Sequence, residues 1–182
     1  MPELVVISGN GGTGKTSVVA SLAALAHPVV LADCNVDASN LHLVFEPQIV
    51  EQSSFFGEPK ARIKPGHCVA CGKCKKLCRF DSVLFDGPGN GRVPQTYRID
   101  PIACESCGVC VQFCAESAIE FTPMECGQWF VSETRCGLLV HARLAPWAGN
   151  SGRLVHQLRQ KARELAARDG HLLLCDGSPG IG

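Results

Sequence analysis

At 182 residues the chain has room for one domain plus a small insertion, and enough residues for a real hydrophobic core. Lysine plus arginine balance aspartate plus glutamate at 17 each, so zero formal charge gives no electrostatic footprint for nucleic acid or an anionic membrane. There is no apolar span of 18 residues, and the start MPELVVISGNGG has neither the basic residues nor the length of a signal peptide. A soluble cytoplasmic protein with no membrane span is expected.

Leu4–Ser8 is an apolar run ended by a glycine-rich turn, which predicts a buried parallel strand. Lys15–Ala26, rich in alanine and leucine, predicts a helix stopped at His27-Pro28. Val29–Ala32 predicts a second buried strand ending at Asp33. This strand–loop–helix–strand order is the opening of an α/β fold with a doubly wound parallel sheet. Near Pro59 the composition changes. From about Ala61 to Thr122 apolar runs vanish and Cys, Gly, Lys and Pro dominate, so residues 61–122 are expected to form an inserted module between residues 1–60 and 123–182. Trp129–Ser132 and Leu138–His141 predict strands. Ser151–Arg168 predicts a helix, with Leu154, Val155, Leu158, Ala162, Leu165 and Ala166 at helical spacing and Gly170 placed as a C′ residue. HLLLCD predicts another buried strand ending at Asp176, and the chain stops in GSPGIG. A strand running into a Gly/Pro loop ordinarily feeds a further helix and strand, so a C-terminally incomplete sheet is expected, with a naturally short chain as the alternative.

Eight of the twelve cysteines form two runs. Cys68, Cys71, Cys74 and Cys78 follow C-x2-C-x2-C-x3-C, and Cys104, Cys107, Cys110 and Cys114 repeat it 36 residues later. Three closely spaced thiolates suit three corners of an iron–sulfur cubane, and the fourth cysteine of each run reaches the other cluster in two-cluster ferredoxins. The expectation is one [4Fe–4S] cluster on Cys68, Cys71, Cys74 and Cys114 and a second on Cys104, Cys107, Cys110 and Cys78. A pair of zinc sites is the alternative, although zinc usually draws two C-x2-C pairs from separate segments. The region Cys68–Glu116 resembles bacterial-type ferredoxins, departing from them at Arg79 and Ala115, where proline usually follows the fourth cysteine. Lys73, Lys75, Lys76 and Arg79 crowd the first run, whereas Glu105 and Glu116 accompany the second. Nearby positive charge favours a reduced cluster, so the first is expected at higher potential; a merely solvated lysine face is the other reading. Cys34, Cys126, Cys136 and Cys175 lie in or beside apolar segments and are expected to be small core residues.

The string GNGGTGKTS has Gly-x4-Gly-Lys-Thr spacing. Backbone N–H groups from Gly11 through Gly12, Thr13, Gly14 and Lys15 to Thr16 can curl around phosphates, the helix N-terminus adds positive field, and Ser17 completes the candidate cofactor-binding set. Lys15 is expected on the β/γ-phosphates and the Thr16 hydroxyl on Mg²⁺. Such a string occurs by chance, but its place between a strand and a helix makes it a phosphate-loop signal. Asp33 and Asp176, each ending a strand, would face the same crevice and serve the metal–phosphate, or would simply be turn aspartates.

Taken together, SGNGGTGKTS, ADCNVDASNLHLVF, the double cysteine run, SGRLVHQLRQKARELA and DGSPGIG resemble MinD/ParA-type P-loop ATPases of the branch with an inserted ferredoxin module. The resemblance implies ATP and Mg²⁺ as ligands, with ADCNVDASNLHL as the acidic A′ motif carrying Asp33 and Asp37. It also implies Asp176-Gly-Ser-Pro-Gly as the Walker B/switch II segment with Asp176 on Mg²⁺, and a dimer, either of identical chains or with a related ATPase. Two positions depart from it. Asn10 stands where the family usually has a lysine that reaches the neighbouring subunit's phosphates, and Asn35 stands where it usually has an aspartate that positions water. Nucleotide binding is therefore expected to be intact and hydrolysis slow, with Asp33 and Asp37 as compensating acids. Three functions fit: an ATPase coupled to electron transfer toward a redox partner, a carrier that hands clusters to apo iron–sulfur proteins, and a ferredoxin on a hydrolytically weak scaffold.

Overall fold

A computed structural model describes residues 2–145 and 151–180 of the chain; residue 1, residues 146–150 and the Ile181-Gly182 end of the DGSPGIG stretch lie outside the described residues. The chain divides into two compact units. One combines Met1–Phe55 with Glu125–Gly182, and the other is Phe56–Met124. The sequence-based boundaries of 61 and 122 fall a few residues inside the second unit.

The first unit is an α/β domain built on strands β1 (Glu3–Ser8), β2 (Val29–Asp33), β3 (Gln48–Ile63), β6 (Ile119–Thr134), β7 (Gly137–Leu144) and β8 (Leu172–Pro179), with helices α1 (Lys15–Ala26), α2 (Leu41–Phe45) and α5 (Ser151–Asp169). The sheet runs β1-β8-β2-β7-β6-β3. β1 pairs with β8, β8 with β2, and β2 with β7 in parallel, whereas β6 and β7 form an antiparallel pair joined by the tight turn before Gly137. The expected wholly parallel sheet is thus mostly parallel, with an antiparallel edge. β3 and β6 begin or end in the second unit, so they are the two chain connections between the units.

β2 is buried along its whole length because helices cover both faces of the sheet. Val19 and Ala23 of α1 pack with Leu41 and Phe45 of α2 onto Val29, Leu31, Leu139 and Leu174. The alternate residues Val30, Val140, Leu173 and Cys175 are equally inaccessible, on the face where α5 brings Lys161 to 5.6 Å from the Trp129 ring centroid. Along α5, Leu154, Leu158, Ala162, Leu165 and Ala166 are buried at the expected helical spacing. Burial of each leucine contributes about 1.5–3 kcal/mol. The helix ends as expected at Gly170, whose φ of 69° lets His171 N–H donate to the Ala166 carbonyl at 3.0 Å.

β1 corrects the sequence reading. It is parallel to β8, but among the described strands it has that neighbour alone. Leu4 and Ile7 are accordingly 43% and 69% exposed, not buried. A bare apolar run does not reveal how many neighbours a strand will have. The four scattered cysteines Cys34, Cys126, Cys136 and Cys175 are all buried.

The second unit has its own small core. Ala61, Ile63, Val83, Ile99, Ala118 and Ile119 pack with Cys68 and Cys104 around the hairpin of β4 (Val83–Gly87) and β5 (Thr96–Ile99). Two one-turn helices, α3 (Lys73–Leu77) and α4 (Val109–Gln112), carry the middle of each cysteine run.

Candidate functional site

The loop between β1 and α1 lies at the carboxyl end of the parallel strands. Gly12 and Gly14 hold φ values of 75° and 84°, left-handed conformations that a side chain resists, and space is open around both. α1 starts at Lys15 with no side-chain cap and no acid in its first turn. Its first N–H groups therefore have no partner from a cap, which is the arrangement that receives an anion. Ser8, Asn10, Gly11, Thr13, Lys15 and Thr16 line a cavity of about 280 Å³ there, with Asn35 and Asn40 across from them. Asn10 and Asn35 do share this pocket, and Asn40, which the sequence did not single out, is the third amide in it. Ser17 lies beyond the lining, and its carbonyl accepts from Ser21 within the helix.

Asp176 binds the loop from below. Thr16 Oγ1 donates to its Oδ2 at 2.8 Å, and Lys15 Nζ stands 2.9 Å from its Oδ1, which takes no directed hydrogen bond. Both partners of this pair are almost fully buried, at 8% and 1% exposure. The buried, under-coordinated oxygen beside a threonine hydroxyl suits a hard divalent cation, so Thr16 and Asp176 fit Mg²⁺.

Asp33 sits opposite Asp176 in the β2–β8 register, but its carboxylate is spent on the following loop. Oδ2 accepts from Ser39 Oγ at 2.7 Å and from Leu41 N–H at 3.2 Å, and Oδ1 accepts from Asn35 N–H at 3.1 Å. Burial raises its pKa and the neighbouring Asp176 charge adds to the rise, while the Ser39 and backbone hydrogen bonds oppose it. Asp33 holds the loop in shape and does not line the phosphate cavity. Asp37 also lies outside it, on the wall of a neighbouring cavity with His42, His141 and Arg143. Of the four acid and base groups singled out from sequence, Lys15 and Asp176 meet; Asp33 and Asp37 do not reach them.

In the second unit the 36-residue repeat is also a repeat of backbone shape. Ala70 and Ser106 have φ of 54° and 56°, Gly72 and Gly108 of 75° and 71°, and Asp81 and Ser117 of 49° each. Each pair precedes or follows a cysteine at the same offset, so the two runs fold the same way. Cys68, Cys71, Cys74 and Cys114 line one cavity, and Cys78, Cys104, Cys107 and Cys110 line another. Each lining joins three cysteines of one run to the fourth cysteine of the other. Burial raises the Cys74 thiol, and the charges of Cys68, Cys71 and Cys114 add to the rise. Burial likewise pushes Cys110 up to about 11, with Cys104, Cys107, Cys74 and Cys78 contributing. Cys78 ends below its ordinary value although burial opposes this, because Ser82 Oγ at 3.1 Å and backbone N–H groups stabilise its thiolate. Cys114 Sγ accepts from Ala118 N–H at 3.4 Å, the repeat-related contact. Among the described residues, no group of three or more His, Cys, Asp or Glu converges to hold a metal ion. No described helix is long and apolar enough to cross a membrane.

An uncharacterized protein of Methanocaldococcus jannaschii is 32% identical over 184 residues, a match covering 99% of this chain and 60% of that protein. The chain thus spans less than two thirds of the length of the relative it matches. Residues 4–173 match the CobQ/CobB/MinD/ParA nucleotide binding domain, CbiA, and with the phosphate loop, Lys15, Thr16 and Asp176 assembled at the ends of its parallel strands, the chain belongs to that family of nucleotide-binding domains.

Proposed function

We propose that this chain is the nucleotide-binding part of an ATPase that couples its nucleotide state to electron transfer through two [4Fe–4S] clusters. The observation that carries the ATPase half is the convergence of Lys15 and Thr16 on Asp176 beneath an uncapped helix N-terminus. Phosphates in the loop would take Lys15 as their counter-ion, and Thr16 and Asp176 would hold Mg²⁺, which would supply charge neutralisation at the β/γ-phosphates. The phosphate then replaces the carboxylate as counter-ion of Lys15, so the pair exchanges partners with little net loss of charge pairing. Asn10 and Asn35 line the phosphate cavity with neutral side chains where the resemblance leads one to expect charge. Hydrolysis is accordingly slow in a dimer of identical chains, where the partner brings the same two amides, and a related ATPase as partner would supply the charge they lack.

The iron–sulfur half rests on the two cavities, each walled by four thiols drawn from both halves of the repeat. A cubane spreads four thiolates over four irons, so its ligands stand farther apart than those around one ion, in keeping with the absence of a single-ion cage among the described residues. Cys68, Cys71, Cys74 and Cys114 would hold one cluster and Cys104, Cys107, Cys110 and Cys78 the other. When bound, such clusters supply one-electron transfer to a redox partner.

The test is anaerobic purification of the full-length protein, with iron and acid-labile sulfide counted and Mg-ATP affinity measured by calorimetry. About eight irons and eight sulfides per chain and an ATP Kd on the order of 1–100 μM are expected. Two zinc ions without sulfide would overturn the cluster assignment. A folded protein that does not bind ATP would overturn the nucleotide assignment. Cluster potentials measured with and without ATP decide the coupling, and identical values refute it.

A further inference from the structure

The loop after β2 has two working sides. One presents Asn35 and Asn40 to the phosphate cavity. The other, with Asp37 and Ser39, closes a separate cavity of about 260 Å³ between α2 and the carboxyl end of β7. That volume is close to the lower end of ligand pockets, roughly 300–1,000 Å³, so it suits a small molecule. Neither the phosphate loop nor the cysteine module uses it.

Its lining is aromatic and pinned. Phe130 faces His141 across the β6–β7 pair, with ring centroids 5.1 Å apart and planes 28° from parallel. The His42 ring lies nearly parallel to His141, at 10° and 6.4 Å. Ser132 Oγ sits 2.9 Å from His141 Nε2, and Ser39 Oγ 3.5 Å from His42 Nδ1, so both imidazoles have a hydroxyl partner. Burial, with His42 and Arg143 adding, pushes the His141 pKa down to about 4, so near neutral pH this ring is an uncharged surface. At the rim stand two charges of opposite sign. Arg143 lies two residues beyond His141 on the same face of β7, and Asp37 projects from the loop. Neither side chain has an ion pair or hydrogen bond among the described residues.

We infer that this cavity is a second small-molecule site and that it takes a planar ring acid, its carboxylate on Arg143, its ring over Phe130 and the histidines, and a ring hydroxyl donating to Asp37. The chemistry follows from the lining. An aromatic lining favours an aromatic or conjugated ring, packed against it by offset or edge contacts, and a guanidinium is a fork for a carboxylate. A carboxylate with no donor of its own favours a ligand that brings one. The site does not depend on the ATPase reading, because no group in it touches the phosphate cavity. It shares with that cavity only the loop that Ser39 ties to Asp33.

The experiment uses the full chain without nucleotide and two probes, benzoate and 4-hydroxybenzoate. Binding is followed by calorimetry and by the imidazole carbon–proton signals of His42 and His141. Saturable one-to-one binding with Kd on the order of 0.1–1 mM is expected, with those two histidines shifting. Arg143→Gln should weaken both probes about tenfold or more, the loss of one charge-assisted pair. Asp37→Asn should weaken 4-hydroxybenzoate and leave benzoate unchanged. Arg143 and Asp37 lie at the rim, so both variants should keep the parent thermal midpoint, and each is scored only on folded protein. No saturable binding up to about 10 mM overturns the site, since affinity above that is weaker than about 3 kcal/mol. Binding indifferent to Arg143→Gln, or shifts confined to signals of the phosphate loop, overturns it equally. Indifference of 4-hydroxybenzoate to Asp37→Asn overturns the hydroxyl assignment.

Discussion

Lys15 Nζ lies 2.9 Å from Asp176 Oδ1, with both side chains closed off from water, so the cation of the phosphate loop and the acid at the end of β8 are each other's counter-ion. A buried pair adds little net stability, but removing one member strands the other charge. Asp176→Asn should therefore destabilise the domain by about 3–5 kcal/mol in denaturant titration. Phosphate ligands should recover part of this by supplying a new anion to Lys15. A variant as stable as the parent would refute the pairing.

The two amides of the phosphate cavity make a second prediction. Asn35 Nδ2 donates to the Ala38 carbonyl at 3.1 Å, which holds its side chain on its own loop. An aspartate cannot donate there, and repulsion from that carbonyl would turn it into the cavity. Asn10→Lys combined with Asn35→Asp should raise ATP turnover by on the order of 10²-fold or more, measured as phosphate release. Turnover unchanged in the double variant would mean that the missing charges do not limit hydrolysis.

The exchange of fourth cysteines can be read in iron counts. Cys114→Ser should weaken the cluster of Cys68, Cys71 and Cys74, and Cys78→Ser the cluster of Cys104, Cys107 and Cys110. Each variant should lose about half of the iron, with a different half of the spectroscopic signal. If Cys78→Ser instead removed the signal that depends on Cys68, the ligand sets would be local rather than crossed. The lysines of the first run are partly compensated, since Lys75 pairs with Asp81 at 3.6 Å and Lys73 sits over the Phe113 ring. Reversing Lys76 alone should therefore lower the potential of the first cluster more than reversing Lys75.

Acid should weaken the fold in two windows. The guanidinium groups of Arg163 and Arg159 hold Glu3 at about 2 against an ordinary value of 4.5. This carboxylate is stabilising above its unfolded pKa, and the contribution fades as pH falls from about 4.5 towards 2. Both arginines are at least a third exposed, so solvent screening limits it to about 1 kcal/mol. His141, held near 4 chiefly by burial, behaves with the same sign. The unfolded chain takes up its proton first, so stability drops as pH falls from the ordinary histidine range near 6.5 to about 4. Denaturant midpoints between pH 7 and 3 should show the upper step vanish in His141→Gln and the lower one in Glu3→Gln. An upper step that persists in His141→Gln would assign it elsewhere.

Gly137 tests the sheet itself. It holds φ of 127°, and a Cβ there would stand 2.0 Å from the Val29 carbonyl oxygen of the paired strand. Gly137→Ala must push β2 and β7 apart and should cost about 2–4 kcal/mol. Gly152, in the first turn of α5 with open space around it, is the control. Gly152→Ala should be neutral or stabilising by up to about 1 kcal/mol. Thermal denaturation of both variants checks the contrast.

Much of this fold was legible because its signals are local. The α5 stripe from Leu154 to Ala166, the glycine stop at Gly170 and the wholly apolar β2 each carry their period within one segment. β3 was not legible. Gln48–Ile63 lacks a steady alternation, with paired apolar residues at Ile49-Val50 and Phe55-Phe56 and breakers at Gly57 and Pro59. It forms a strand because β6 offers it an edge, a contact made across 71 residues where Ser54 Oγ donates to Glu125. β6 itself showed only Trp129–Ser132 in the sequence, the part buried at every position; the rest of Ile119–Thr134 is strand through pairing.

The chemistry each segment can offer is written in its own residues. Glycines at 12 and 14 make a phosphate loop, lysine and threonine follow it, and two cysteine runs 36 residues apart predict two equivalent half-sites. Only the tertiary structure decided which groups meet. Asp33 and Asp176 both end parallel strands and look equivalent in sequence, yet Thr16 and Lys15 reach Asp176 across 160 residues, while Asp33 is taken up by Ser39, Asn35 and Leu41 of its own loop. Strand order explains the difference. β8 lies between β1 and β2, so its end sits directly under the phosphate loop, and β2 is one strand farther away. That order is set by long-range pairing, which no local pattern encodes.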